Sequence, residues 1–215
     1  GFGGVVLAMA GALAVVWLCS LYWLRSDFGK AKSKPKFTEM LSKSRAVNIL
    51  SAARLFLFGA RDVWFVVALP VFLAAGLGWS HWQVGGFLAL WIIGYGFVQS
   101  VAPYFTGKKS GQVPDGNTAL RWALPLAIVP AAIAFLLSQG VNPAAVLVIG
   151  LMLFGALFAV NSSLHSYLIL SYAKEDGVSM DVGFYYMANA MGRLLGTVLS
   201  GWVYQAYGLP ACLWV

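Results

Sequence analysis

Six stretches of this chain are apolar over the length a bilayer demands, and no other feature narrows the fold as much. A helix crossing the hydrocarbon layer needs about 20 mostly apolar residues. Runs at 2–24, 47–77, 83–105, 119–138, 144–172 and 182–204 meet that condition, and a seventh begins near Pro210 and stops at Val215. Charged residues make up only 10% of the 215 and hydrophobic residues 60%, whereas a soluble domain carries about 25% charged residues. So few charges cannot cover a water-facing surface, which excludes a soluble enzyme or binding module. Disorder needs low hydrophobicity and is excluded as well. The alternating segments of about ten residues that mark a transmembrane barrel do not occur. The expected fold class is all-α, a polytopic transmembrane helix bundle whose main partner is the lipid bilayer.

The connections between the runs agree with this reading. The first holds Arg25, Lys30, Lys32, Lys34, Lys36, Lys43 and Arg45; Lys108, Lys109 and Arg121 surround the third, and Lys174 lies in the fifth. The second, fourth and sixth connections, at 78–81, 139–142 and 206–209, hold no Lys or Arg. Basic residues collect on the cytoplasmic side of membrane proteins, so the alternation directs the first helix from outside to inside. The expected organisation is a transmembrane helix at 1–24, a basic cytoplasmic loop at 25–46 and a transmembrane bundle at 47–215, truncated in its last helix. A solvated cytoplasmic loop accounts for the lysine run and for the net charge of +7, so no nucleic-acid partner is expected. The first run lacks a basic leading region and is too long for a signal core. The chain opens on Gly1 rather than Met and closes within an apolar run, and the expectation is a piece of a longer protein. Cys19 and Cys212 lie inside apolar runs and give neither a disulfide framework nor metal spacing; no cofactor or metal is expected.

Function is sought among the polar residues within the runs. An arginine at the bilayer centre costs about 2.5–3.5 kcal/mol on insertion scales, so such residues face the protein interior or a water-filled path. Arg54 and Arg61 are seven residues apart, close to two helical turns, and project from one face. Arg61 lies roughly 20 Å along its helix, too deep to reach the headgroups; Arg54 is nearer the cytoplasm and either snorkels or serves the site. Asp62 neighbours Arg61 about 100° around the helix, where the two do not form the pair that an i,i+4 couple would. It is expected either to pair with an arginine on another helix or to carry a coupling proton. Asn161 and His165 share a face, and His165 either packs with its polar atoms satisfied or donates to an anion. Asn161-Ser162-Ser163 matches a glycosylation sequon by accident of its place in a span. Tyr185, Asn189 and Arg193 form a polar stripe at i, i+4 and i+8, with Arg193 about 16 Å into the helix. Gly192 and Gly196 beside it read as close helix packing.

These residues describe an internal cavity lined by arginines, amides and tyrosines. Arginine keeps its charge and presents a planar fork to oxyanions, and two or three arginines against one acid suit an anionic solute. Zinc-binding His/Glu motifs and phosphate-binding glycine loops are missing. Ser200-Gly201 with His165 loosely suggests an intramembrane serine protease, but Val198 stands where that motif needs glycine. No catalytic residue is therefore assigned, and an enzyme is not expected.

Four stretches carry a family resemblance: 52–72 (AARLFLFGARDVWFVVALPVF), 85–99 (GGFLALWIIGYGFVQ), 158–173 (FAVNSSLHSYLILSYA) and 181–205 (DVGFYYMANAMGRLLGTVLSGWVYQ). With Gly59-Ala60-Arg61-Asp62, Asn161-Ser162-Ser163-Leu164-His165-Ser166-Tyr167 and Gly183-Phe184-Tyr185-Tyr186 at their centres, the chain resembles the ArsJ-type organoarsenical efflux permeases of the major facilitator superfamily. The resemblance covers most of the chain after Ser51. It implies the C-terminal half of that fold plus the preceding helix, in a multi-pass protein of the bacterial inner (plasma) membrane. It implies export of 1-arseno-3-phosphoglycerate, made from arsenate by a glyceraldehyde-3-phosphate dehydrogenase, and hence arsenate resistance. Arg61 and Arg193 would hold the anionic groups, with Asn161, His165, Tyr185, Asn189 and Arg54 as further binding residues and Asp62 as a possible coupling acid. One departure stands out: the third connection reads Gly107-Lys108-Lys109-Ser110-Gly111, without the Asp-Arg pair of the generic superfamily motif. A transporter of another organic anion, a sugar phosphate or carboxylate, is the alternative.

Overall fold

The computed structural model describes residues 2–24, 44–104, 106, 114–173 and 178–215. Those residues form helices and short turns, with no strand among them. In chain order they are α1 (Phe2–Trp23), α2 (Arg45–Phe65), α3 (Ala68–Val71), a π-helical turn (Phe72–Gly76), α4 (His81–Pro103), α5 (Gly116–Ser138), α6 (Pro143–Tyr172) and α7 (Val178–Trp214). Five segments are long and apolar enough to cross a membrane: Gly3–Trp23, Arg45–Gly76, His81–Pro103, Gly116–Ser138 and Pro143–Tyr172. An all-helical chain with five such segments has the make-up of a helical membrane protein. Their bounds match the apolar runs to within a turn of helix. The sixth run is helical too, inside α7, but does not join those five, because Asn189, Arg193, Thr197 and Ser200 dilute its apolar character.

The chain divides into two compact units, 1–38 and 39–215. The first contains α1, apolar on every side, in which the Ser20 hydroxyl is absorbed by the Val16 carbonyl one turn back at 2.8 Å. Most of the expected basic loop, 25–43, lies outside the described residues, as do Lys108, Lys109 and Lys174. Arg45 is not in a loop: it opens α2.

Within the second unit, helix ends follow local chemistry. Ser80 and Gln83 form a reciprocal capping box at the start of α4. The Asp115 carboxylate accepts from the Thr118 amide at 2.8 Å to begin α5, and Asn142 followed by Pro143 begins α6. The long second span does not continue unbroken. Pro70 lacks an amide hydrogen and its ring crowds the carbonyl four residues back, and the helix gives way at Val66–Val67 before resuming as α3. Ser200 of α7 repairs the break, its hydroxyl accepting from the Ala68 amide at 3.1 Å. In α7, Gly208 takes φ 79°, a left-handed conformation open to glycine. The residues beyond that break are the expected start of a seventh run, and they turn Leu209, Cys212 and Leu213 into the core.

α2 lies along α7, and α6 packs against α4 and α5. The main core is built from Phe58 and Trp64 of α2, Trp91 of α4 and Phe154 and Phe158 of α6, with aliphatic residues between. Trp64 and Phe154 meet edge to face at 4.9 Å, the arrangement that the ring quadrupoles favour. Trp91 satisfies its indole N–H on the Leu151 carbonyl at 2.7 Å.

Candidate arginine site

Two arginine centres form along the inner face of α2. The first depends on how closely α2 and α7 approach. A Cβ added to Gly192 would run into the Leu55 carbonyl, one on Gly196 into the Gly59 carbonyl, and one on Gly59 would stand 3.1 Å from the Gly192 oxygen. This is small-residue packing of the kind expected from the Gly-x-x-x-Gly spacing. It brings the short Asp62 side chain, fully buried, within reach of α7. There Arg193 donates from Nε to Asp62 Oδ2 at 3.1 Å. Arg61 donates from its own Nε to Asp62 Oδ1 at 2.7 Å. The Arg61 guanidinium also stands 4.6 Å from the centre of the Phe58 ring and 5.0 Å from that of Phe158, and cation–π attraction contributes about 0.5–2 kcal/mol at such contacts.

Two expectations are corrected here. Arg61 and Asp62 do pair, although their Cα–Cβ directions diverge by about 100°, because the long guanidinium arm curls back to the neighbouring carboxylate. Of the two roles left open for Asp62, pairing with an arginine on another helix is seen, with Arg193, so one carboxylate serves two cations. Arg193 was expected deep in an internal cavity, but its side chain is 54% exposed.

The second centre is about two turns nearer the start of α2. Arg54 is 6% exposed and has no carboxylate partner among the described residues. Its Nη1 donates to Ser162 Oγ of α6 at 3.2 Å, and its guanidinium stands 3.9 Å from the Phe58 ring centre and 5.2 Å from that of Tyr185 on α7. Burial therefore gathers Arg54 with groups from three helices. Among the described residues, these buried polar atoms of α2, α6 and α7 have no hydrogen-bond partner: Arg54 Nε, Ser51 Oγ, Asn161 Oδ1, His165 Nδ1, the Tyr185 hydroxyl and Asn189 Oδ1. Asn161 is held in place by its other end, with Nδ2 donating to the Ala119 carbonyl of α5 at 3.0 Å. Buried polar groups left unpaired cost about 1–3 kcal/mol each. A charge that cannot be shed, with its own Nε and the neighbouring Tyr185 hydroxyl and His165 Nδ1 unpaired among the described residues, makes this centre receptive to a polar ligand.

The eight sequence-derived candidates thus separate. Arg61, Asp62 and Arg193 form the triad; Arg54 meets Tyr185 and acts electrostatically on His165, while Asn161 is held by the Ala119 carbonyl and Asn189 lies half-buried on α7. Phe58, absent from that set, lies against both guanidiniums. Its place four residues after Arg54 and three before Arg61 was the available signal. Ser51, one turn before Arg54, and Ser162, hidden in the accidental sequon, were missed as well. A cavity of about 250 Å³ opens beside Arg61, lined mainly by apolar groups including Trp64, Leu126 and Phe154. Among the described residues no group of His, Cys, Asp and Glu is placed to hold a metal ion. No family model, curated protein or solved structure matches this chain.

Proposed function

We propose that this chain is part of a major-facilitator-type secondary transporter, multi-pass in the bacterial inner membrane, that exports the phosphorylated organoarsenical 1-arseno-3-phosphoglycerate and so confers arsenate resistance. The observation that carries the proposal is the Arg54 centre. A permanently charged guanidinium lies buried in an apolar bundle, without a carboxylate partner among the described residues and with its own Nε unpaired. Such a centre suits an oxyanion that spends part of its cycle there, and alternating access would deliver and release it. The resemblance of the stretches around Arg61, His165 and Tyr185 to organoarsenical permeases supports the substrate. A glyceraldehyde-3-phosphate dehydrogenase is the functional partner, because it makes that substrate from arsenate.

The test uses the full-length protein in everted membrane vesicles. Arsenate, glyceraldehyde 3-phosphate, a nicotinamide cofactor and the dehydrogenase generate the substrate, and arsenic accumulation is measured. Accumulation that requires both the dehydrogenase and the transporter is the expected result. No accumulation by correctly inserted protein would refute the organoarsenical reading. Competition by sugar phosphates and carboxylates then identifies the anion that is carried. Arg54→Lys is expected to lower transport with its charge retained, since lysine lacks the planar fork; undiminished export by that variant would remove the guanidinium geometry from the account.

A further inference from the structure

We infer that the Arg54 centre takes a phosphate- or arsenate-type group in a singly charged form that still bears an O–H, and that the triad does not. The inference rests on the export reading for its biological sense, and it specifies which arginine centre meets the anion and in what chemical form.

The charge argument comes first. Asp62 already meets both Arg61 and Arg193 through its two oxygens. An anion entering the triad would compete with a buried carboxylate and be repelled by it. Among the described residues Arg54 meets the Ser162 hydroxyl and two rings and no carboxylate, so one negative charge is what these surroundings lack.

Hydrogen-bonding capacity then narrows the ligand. The unmet groups are not all donors. Arg54 Nε–H and the Ser51 and Tyr185 hydroxyls can donate to oxyanion oxygens, and the His165 ring can do so from Nδ1 in one tautomer. Asn161 Oδ1 can only accept. Its amide cannot turn over to offer a donor without giving up the bond from Nδ2 to the Ala119 carbonyl. A bare oxyanion would face that acceptor with a lone pair. A protonated oxyacid group, written HO–PO₂⁻–OR or its arsenate counterpart, donates its O–H there and accepts from the others. The buried Asn161 oxygen thus selects against an anion that has no proton to give.

Inorganic anions test this apart from transport. Equilibrium binding of phosphate, arsenate and sulfate to the purified full-length protein in lipid nanodiscs is measured near neutral pH, where sulfate carries no O–H. Phosphate and arsenate are expected to bind about tenfold or more tightly than sulfate, since a site holding an unpaired buried group rejects the ligand that cannot meet it. Arg54→Gln is expected to weaken phosphate binding about tenfold or more, as loss of a charge-assisted hydrogen bond does. Tyr185→Phe removes one hydroxyl with the ring left in place and should weaken it severalfold. Arg193→Gln should cost less than Arg54→Gln. Sulfate binding as well as phosphate would overturn the O–H requirement, and a larger loss from Arg193→Gln would overturn the choice of centre. A protein that accumulates arsenic in vesicles yet binds neither phosphate nor arsenate would end this inference and leave the export reading standing. The predicted binding pattern in a protein that accumulates no arsenic would do the reverse.

Discussion

The two arginines on the inner face of α2 share one aromatic neighbour and are finished in opposite ways. Arg61 is answered within the protein by Asp62, which also takes Arg193 from α7. Arg54, against the other side of the same seven-residue interval, meets a serine hydroxyl and two rings and sits among groups with unmet hydrogen bonds. An ion cluster that satisfies itself ties two helices together. A lone buried cation among unsatisfied groups holds free energy in reserve for a ligand. The burial of an arginine says little by itself; what answers its charge separates a strut from a site.

The sharpest way to break the comparison is to remove the strut. Asp62→Ala strands the largely buried Arg61 guanidinium and frees the exposed Arg193, and losing one partner of a buried pair costs about 3–5 kcal/mol. A large drop in thermal unfolding temperature is expected for the protein purified in detergent, and a small one would mean that the triad carries little of the α2–α7 contact. The glycine seam comes next. Gly192→Ala drives a Cβ into the Leu55 carbonyl, an overpacking worth about 1–3 kcal/mol. Gly201→Ala on the same helix meets open space and should leave the unfolding temperature unchanged or slightly raised. Equal effects from the two would show that the seam does not set the helix spacing.

A smaller effect is expected from Ser200→Ala. It leaves the Ala68 amide at the α2 break without its acceptor, at about 1–3 kcal/mol for an unsatisfied buried donor. Faster hydrogen exchange at Ala68 is the measurement. The smallest concerns Asp115, the cap of α5. The Thr118 amide, and then its hydroxyl, hold the Asp115 carboxylate below the usual range. A carboxylate lowered on folding contributes stability above its ordinary pKa and loses it as pH falls through the lowered value. The first turn of α5 should therefore hold at neutral pH and fray only in acid. The Thr118 amide resonance followed by pH titration, with Asp115→Ala as the reference, checks it.

Much of this fold was legible because bilayer length and helix geometry leave little choice. The apolar runs located the spans and Gly192-x-x-x-Gly196 gave the close approach of α7, but the second run was read as one helix and its break before Pro70 was missed. The site was legible residue by residue but not in its division. Helical phase correctly set Arg54 and Arg61 on one face. Phase alone, however, describes where Cα–Cβ bonds point, and a guanidinium arm reaches well past that direction; this is why the Arg61–Asp62 pair was missed. The exposure of Arg193 depends on what packs over α7, which no local pattern encodes. Ser51 and Ser162 gave no signal of their own, since a serine inside a span reads as ordinary until a cation is found beside it.

The central claim is that the unanswered arginine, Arg54, meets the exported anion. The direct measurement is the initial rate of dehydrogenase-dependent arsenic uptake into everted vesicles, with the native full-length protein and Arg54→Gln at matched levels of insertion. The account predicts uptake by the native protein and a fall to background for Arg54→Gln. Undiminished uptake by Arg54→Gln would contradict it.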